Sequence, residues 1–82
     1  MRDWTLMEAK KDFERGLLKE ARIVPIESGL WAVQITSTLA ADGTGWLLQT
    51  KRREQRQMKT LQAAAEAVTN IGFKIRSLLI ET

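Results

Sequence analysis

The sequence contains no histidine, no cysteine and no tyrosine, and a single proline. Without the first three, the commonest general base, the thiolate nucleophile and the phenolic acid are all missing, which argues against an enzyme. A Ser or Thr nucleophile would need Lys or a carboxylate as its base, and no Ser-x-x-Lys arrangement occurs. The same absences remove the disulfides of a secreted scaffold and the soft ligands of a structural zinc, and they fit a reducing compartment. Long apolar runs are missing as well. Ser77-Leu78-Leu79-Ile80 falls far short of the roughly 18 residues of a membrane span. The start, Met1-Arg2-Asp3-Trp4, opens into a charged amphipathic segment without the apolar centre of a signal peptide. The expectation is a soluble, cytoplasmic protein with no membrane contact.

What is present suits one small domain spanning residues 1–82, with 44% hydrophobic and 28% charged residues. A chain this short buries a modest core, and neither metal nor disulfide supports it here, so a homodimer is expected. The net charge of +3 is unevenly placed. Lys51, Arg52, Arg53, Arg56 and Lys59 stand together with one acid, Glu54, leaving eight basic and nine acidic residues elsewhere. All the surplus positive charge lies between residues 51 and 59.

The order of elements reads α-β-β-β-α-β. Thr5-Leu6-Met7-Glu8 fits a capping box with Trp4 placed as a hydrophobic staple, so a helix should start at Leu6. Leu6, Ala9, Phe13 and Leu17 recur at helical spacing, and the helix should end near Leu18 to Glu20 because Gly16 weakens its last turns. Lys10 with Glu14 and Asp12 with Arg15 are expected as exposed ion pairs, and Glu8 with Asp12 as an exposed acidic face.

Arg22-Ile23-Val24-Pro25-Ile26 reads as an edge or irregular strand, since Pro25 cannot donate to a ladder. Ser28-Gly29 is a turn. Trp31-Ala32-Val33-Gln34-Ile35-Thr36 alternates as a strand with Trp31, Val33 and Ile35 inward. The stretch 40–45 is a loop, its Asp42-Gly43 supplying a turn. A third strand should follow over Trp46 to Lys51, with Trp46 and Leu48 inward and Gln49, Lys51 and Arg53 outward beside Gln34 and Thr36. Thr60 is a plausible N-cap for a helix carrying Leu61, Ala64, Ala65, Val68 and Ile71 on one stripe, and Gly72 ends it. Phe73 to Ile80 reads as a closing strand. The fold class is therefore α+β, an antiparallel three- to four-stranded sheet with two helices packed on one face.

Few groups are arranged for chemistry. Gly43-Thr44-Gly45 lacks the Gly-Lys-Ser/Thr of a phosphate loop and opens a strand where that motif opens a helix. Asp42 alone is no metal site, and no cofactor is expected. The run from Lys51 to Lys59 is the candidate binding element. Its Arg and Lys can neutralise phosphates, while Gln49, Gln55 and Gln57 can hydrogen-bond phosphates or base edges. An acidic protein partner would suit the same charges, and so would simple solubility of a strand end. Trp31 and Trp46 could stack on bases but are expected in the core. The apolar end, with Leu78 and Ile80, fits either a buried central strand or edge pairing with a second subunit.

Arg56-Gln57-Met58-Lys59-Thr60-Leu61-Gln62-Ala63-Ala64, continuing to Asn70-Ile71-Gly72-Phe73, resembles the Arg-x-Phe-Lys-Thr-Leu-Asp-Ala-Ala and Ile-Gly-Phe motifs of small plasmid-encoded proteins of the ParC-type partition-associated family. Met58 stands in place of the aromatic residue and Gln62 in place of the acid. The likeness covers about the last third of the chain. A looser similarity links the chain to DNA readers built from a three-stranded sheet and a helix, such as the arm-binding domains of integrases. Both resemblances imply a non-enzymatic accessory role in plasmid maintenance, with DNA or a ParA-type ATPase as partner. Gln49, Lys51, Arg52, Arg53, Arg56 and Lys59 are the expected contacts.

Overall fold

The computed structural model describes residues 2–41, 43–49, 53–74 and, for the backbone, 79–80. The expected order holds apart from an added single-turn 3-10 helix, Glu27–Gly29, between the first two strands. Helix α1 spans Leu6–Glu14, strand β1 Leu18–Pro25, strand β2 Trp31–Ser37, strand β3 Thr44–Trp46, helix α2 Leu61–Ile71 and strand β4 Leu79–Ile80. The strands form one sheet in the order β3-β2-β1-β4, antiparallel from β3 to β1, and both helices pack on the same face of it.

Local chemistry fixes the helix ends. Thr5 accepts from the Glu8 backbone N–H at 3.3 Å while the Thr5 N–H donates to Glu8 Oε1 at 2.9 Å, completing the capping box. The helix stops at Glu14, earlier than the expected Leu18 to Glu20, because Gly16 takes the left-handed conformation that ends it (φ 72°). Strand β1 can then begin at Leu18. Thr60 caps α2 by accepting from the Ala63 N–H at 3.0 Å. At the other end of α2, Gly72 lies so close to the Phe13 ring that a side chain there would collide with it. Phe13 and Phe73 meet edge to face with centroids 4.8 Å apart, locking the two helix ends together.

The core lies between sheet and helices. Ile23, Val33, Ile35 and Leu47 from the sheet side meet Ala9, Ala64, Val68 and Ile71 from the helices, all of them buried. Trp31, expected inward, is half-buried and packs against this cluster. The alanines of α2 let it approach the sheet closely, as its small-residue stripe implies.

Four expectations need correction. β1 is an interior strand: Pro25 is its last residue, beyond the Arg22 and Ile23 that pair with β4, so its missing N–H costs the ladder nothing. The closing strand β4 spans Leu79–Ile80, with Phe73 and Lys74 of the expected strand outside it, and it runs parallel to β1 where an all-antiparallel sheet was expected. The third strand is one residue out of phase, with Gly45 and Leu47 on the helix side and Thr44 and Trp46 on the other. The cause is Gly45: its missing side chain admits the backbone of Arg2, which a Cβ would strike. Fourth, Asp12 is buried and its carboxylate accepts from Arg2 at 2.7 Å and from the Trp4 indole at 3.0 Å, so it forms neither an exposed pair with Arg15 nor an exposed acidic face with Glu8.

These contacts seat the N-terminal segment along β3. The Trp4 N–H donates to the Trp46 carbonyl at 3.0 Å, the Leu48 N–H to the Trp4 carbonyl at 2.7 Å, and the Trp46 N–H to Asp3 Oδ1 at 2.9 Å. The outer edge of β3 is thereby covered, which removes one template for edge-to-edge association.

Candidate nucleic-acid interface

The antiparallel register decides which side chains share the face without helices. Arg22 stands opposite Gln34, and Gln34 opposite Trp46, so the three form one row across β1, β2 and β3. Glu20, Thr36 and Thr44 form the next row, with the two threonine hydroxyls 3.2 Å apart. Val24 and Ala32 form the row on the other side. Strand alternation sends all of these away from the helices. The row residues other than Ala32 are half-buried, and the side chains of Arg22, Gln34 and Trp46 make no hydrogen bond or ion pair with any other described residue. Ala32 and Leu48 on this face are buried yet lie outside the main core cluster, giving the polar row a small apolar floor.

Beyond β3 the chain folds back on itself. The Gln49 N–H donates to the Glu54 carbonyl at 2.9 Å and Leu48 bridges Gln55, so the segments ending at Gln49 and starting at Glu54 pair antiparallel. The returning segment pairs with the start of β2, Trp31 and Met58 exchanging two backbone hydrogen bonds of 2.8 Å. Alternation places Met58 in the core and Gln55 and Gln57 on the open face, where their amides are 3.4 Å apart. A polar groove lined by Ile26, Glu27, Ser28, Leu30, Gln55 and Gln57 adjoins them.

The basic run is divided between several directions. Gln49 is exposed at the neck of the hairpin, and Lys51 and Arg52 lie outside the described residues. Arg53 is exposed and donates to Glu8 Oε1 at 3.3 Å, reaching α1. Arg56 shares the helix side with Leu47, half-buried, while Lys59 is exposed just before the Thr60 cap. Gln49 and Arg53 therefore do not stand opposite Gln34 and Thr36, because the phase of β3 puts Trp46 and Thr44 there; Lys51, expected with them, lies outside the described residues. Of the expected dimer edge, Leu78 lies outside the described residues, and Ile80 belongs to β4, the outer strand beside β1.

Electrostatics at the hairpin are local. The Thr5 backbone N–H that donates to Glu8 holds its carboxyl below the ordinary glutamate range; partial burial opposes this, and the Thr5 side chain and Arg53 reinforce it. The first turn of α2 contains no acid, so Lys59 adds to the positive end of that helix without compensation. Among the described residues no three metal-ligating side chains converge, and no helix is long and apolar enough to cross a membrane.

No family model matches the sequence, and no curated protein or solved structure is significantly similar to it.

Proposed function

We propose that this protein is a small non-enzymatic DNA-binding protein that sets its open sheet face against the duplex and its basic hairpin beside the phosphates. The observation that carries this reading is the row of Arg22, Gln34 and Trp46, whose side chains have no hydrogen-bond or ion-pair partner among the described residues, on a sheet face that neither helix covers. Adjacent strands placing a cation, an amide and an aromatic side by side offer donors, an acceptor and a contact surface in one plane. Lys59 and Arg53, both exposed, add cationic groups that can release counterions from a phosphate backbone. The likeness of the 56–73 stretch to ParC-type proteins makes an accessory role in plasmid maintenance the process proposed for this activity.

Fluorescence anisotropy of a labelled duplex, titrated at several salt concentrations, tests it. Affinity should fall steeply as salt rises, and joint replacement of Arg53 and Lys59 by alanine should flatten that slope by about two. Absence of duplex binding at low salt would remove the proposal. A competing reading, an adaptor that docks on a partner such as a ParA-type ATPase, is favoured by the groove beside Thr5, Leu6, Met7 and Lys10, where Met7 is 69% exposed. Retention of that ATPase after nuclease treatment would support it.

A further inference from the structure

We infer that the open face reads base edges in the major groove, Arg22 taking the O6 and N7 of a guanine and Gln34 the N7 and N6 of an adenine in a neighbouring step. The inference rests on the DNA-binding reading above and adds what that reading leaves open, the kind of sequence recognised.

Spacing is the first argument. Arg22 and Gln34 are direct cross-strand partners, which places their Cβ atoms about 5 Å apart. Successive base pairs are stacked about 3.4 Å apart, so two side chains of this length and flexibility can reach neighbouring steps together. Strands are spaced about 4.8 Å apart, so the row from β1 to β3 is roughly 10 Å across, comparable with the ~12 Å width of the major groove.

Chemistry is the second. A guanidinium matches the two acceptors of guanine, and a primary amide matches the acceptor and donor of adenine; each is the bidentate pairing that distinguishes those bases in the major groove. Both side chains have their full hydrogen-bonding capacity available with respect to the described residues. The face is also mixed in charge, since Glu20 lies one row from Arg22. A surface made to grip phosphates would exclude a carboxylate, whereas a surface facing base edges can use one to accept from the cytosine amino group.

The single aromatic of the row decides between duplex and single strand. Sequence-tolerant single-strand binding uses successive stacking platforms. Trp46 stands alone on this face, because Trp4 and Trp31 lie with the core.

The experiment is selection of bound duplexes from a randomised library at low salt, followed by anisotropy on the selected duplex and its single-base variants. The wild-type protein should enrich a guanine and an adenine in adjacent or next-nearest steps. Arg22→Ala should abolish discrimination at the guanine and Gln34→Ala at the adenine, each by roughly 5- to 150-fold, with the salt slope otherwise kept. Arg22→Lys keeps the charge and loses the fork, so it should also relax the guanine preference, and circular dichroism confirms that each variant is folded. Salt-dependent duplex binding with no enriched motif, or a motif unmoved by these substitutions, would overturn the inference and leave the DNA-binding reading intact. Tighter binding to single strands, abolished by Trp46→Ala, would also overturn it. No duplex binding at all would overturn both.

Discussion

Replacing Asp12 by alanine should be the most damaging single change on α1. Its carboxylate is 5% exposed and accepts from Arg2 and from the indole of Trp4, a residue with no exposed surface. Removal would strand a buried indole N–H, which costs about 1–3 kcal/mol, and would release Arg2 from its 2.7 Å ion pair. A total near 3 kcal/mol is expected, consistent with breaking partly buried charged hydrogen bonds. For 82 residues the whole folding free energy is about 4–12 kcal/mol, so this one change consumes a large share of it. Asp12→Asn keeps an acceptor for Trp4 and should cost about half as much. Trp4→Phe removes the donor, so Asp12→Ala should cost about 1 kcal/mol less in that background. Urea unfolding followed by circular dichroism measures the wild type and the four variants on one scale. Additive costs, or an Asp12→Ala penalty under 0.5 kcal/mol, would refute the claim that this carboxylate holds the N-terminal segment in place.

Gly45→Ala should destabilise by about 1–3 kcal/mol, since its Cβ would strike the Arg2 backbone, whereas Gly16→Ala, in open space, should cost only the ~1 kcal/mol of a left-handed conformation. Hydrogen exchange at the Trp4 N–H should quicken in the first variant alone; equal effects would refute the assignment. Thr5→Ala should lower stability by about 1 kcal/mol through loss of the α1 cap. Because the Glu8 carboxyl is held below its ordinary range, its contribution is complete above the unfolded value of about 4.3 and is lost as pH falls through the lower folded value. The stability gap between wild type and Glu8→Gln should therefore close in acid, which urea midpoints measured against pH will show or deny.

The parts of this fold that were legible in the sequence are those set by neighbours in the chain. Thr5 with Glu8 and Thr60 before an apolar stripe fixed two helix starts, since each cap satisfies backbone groups within three residues. The alternation of Val33 and Ile35 placed β2 with its polar residues outward. What stayed hidden depended on distant partners. Asp12 has the spacing of an ordinary exposed acid, and its burial follows from Arg2 and Trp4 folding back onto α1. The phase of β3 hung on Gly45 and the N-terminal backbone, with Asp3 bonding Trp46 across 43 positions. Leu47 and Leu48 are adjacent and equally apolar, so composition could not say which faced the helices.

The candidate face was hidden for a related reason. Gln34 and Thr36 were expected outward, but Arg22 joins them only through the register of β1, and that register is set by the turn. A two-residue Ser28-Gly29 turn would place Arg22 opposite Ile35. In the structure the turn occupies Glu27–Gly29, with Ser28 and Gly29 both at positive φ, and Arg22 meets Gln34 instead. One residue in the connection thus decides whether a cation is aligned with the polar row or offset from it.

The division of the basic run bears on how the hairpin would meet a phosphate. Arg53 is tied to α1, but by an exposed pair in which its side chain keeps 63% of its accessible surface. Such a pair is worth between nothing and about 1 kcal/mol, and salt weakens it further. Exchanging Glu8 for a phosphate oxygen costs little, because Glu8 retains its shorter hydrogen bond from the Thr5 N–H and the α1 cap stays closed. In the proposed complex the Arg53 side chain can therefore move from helix to phosphate backbone without opening the core. In that proposed complex the sheet face, whose register is fixed by β1 and β2, would supply the rigid surface against which bases are compared.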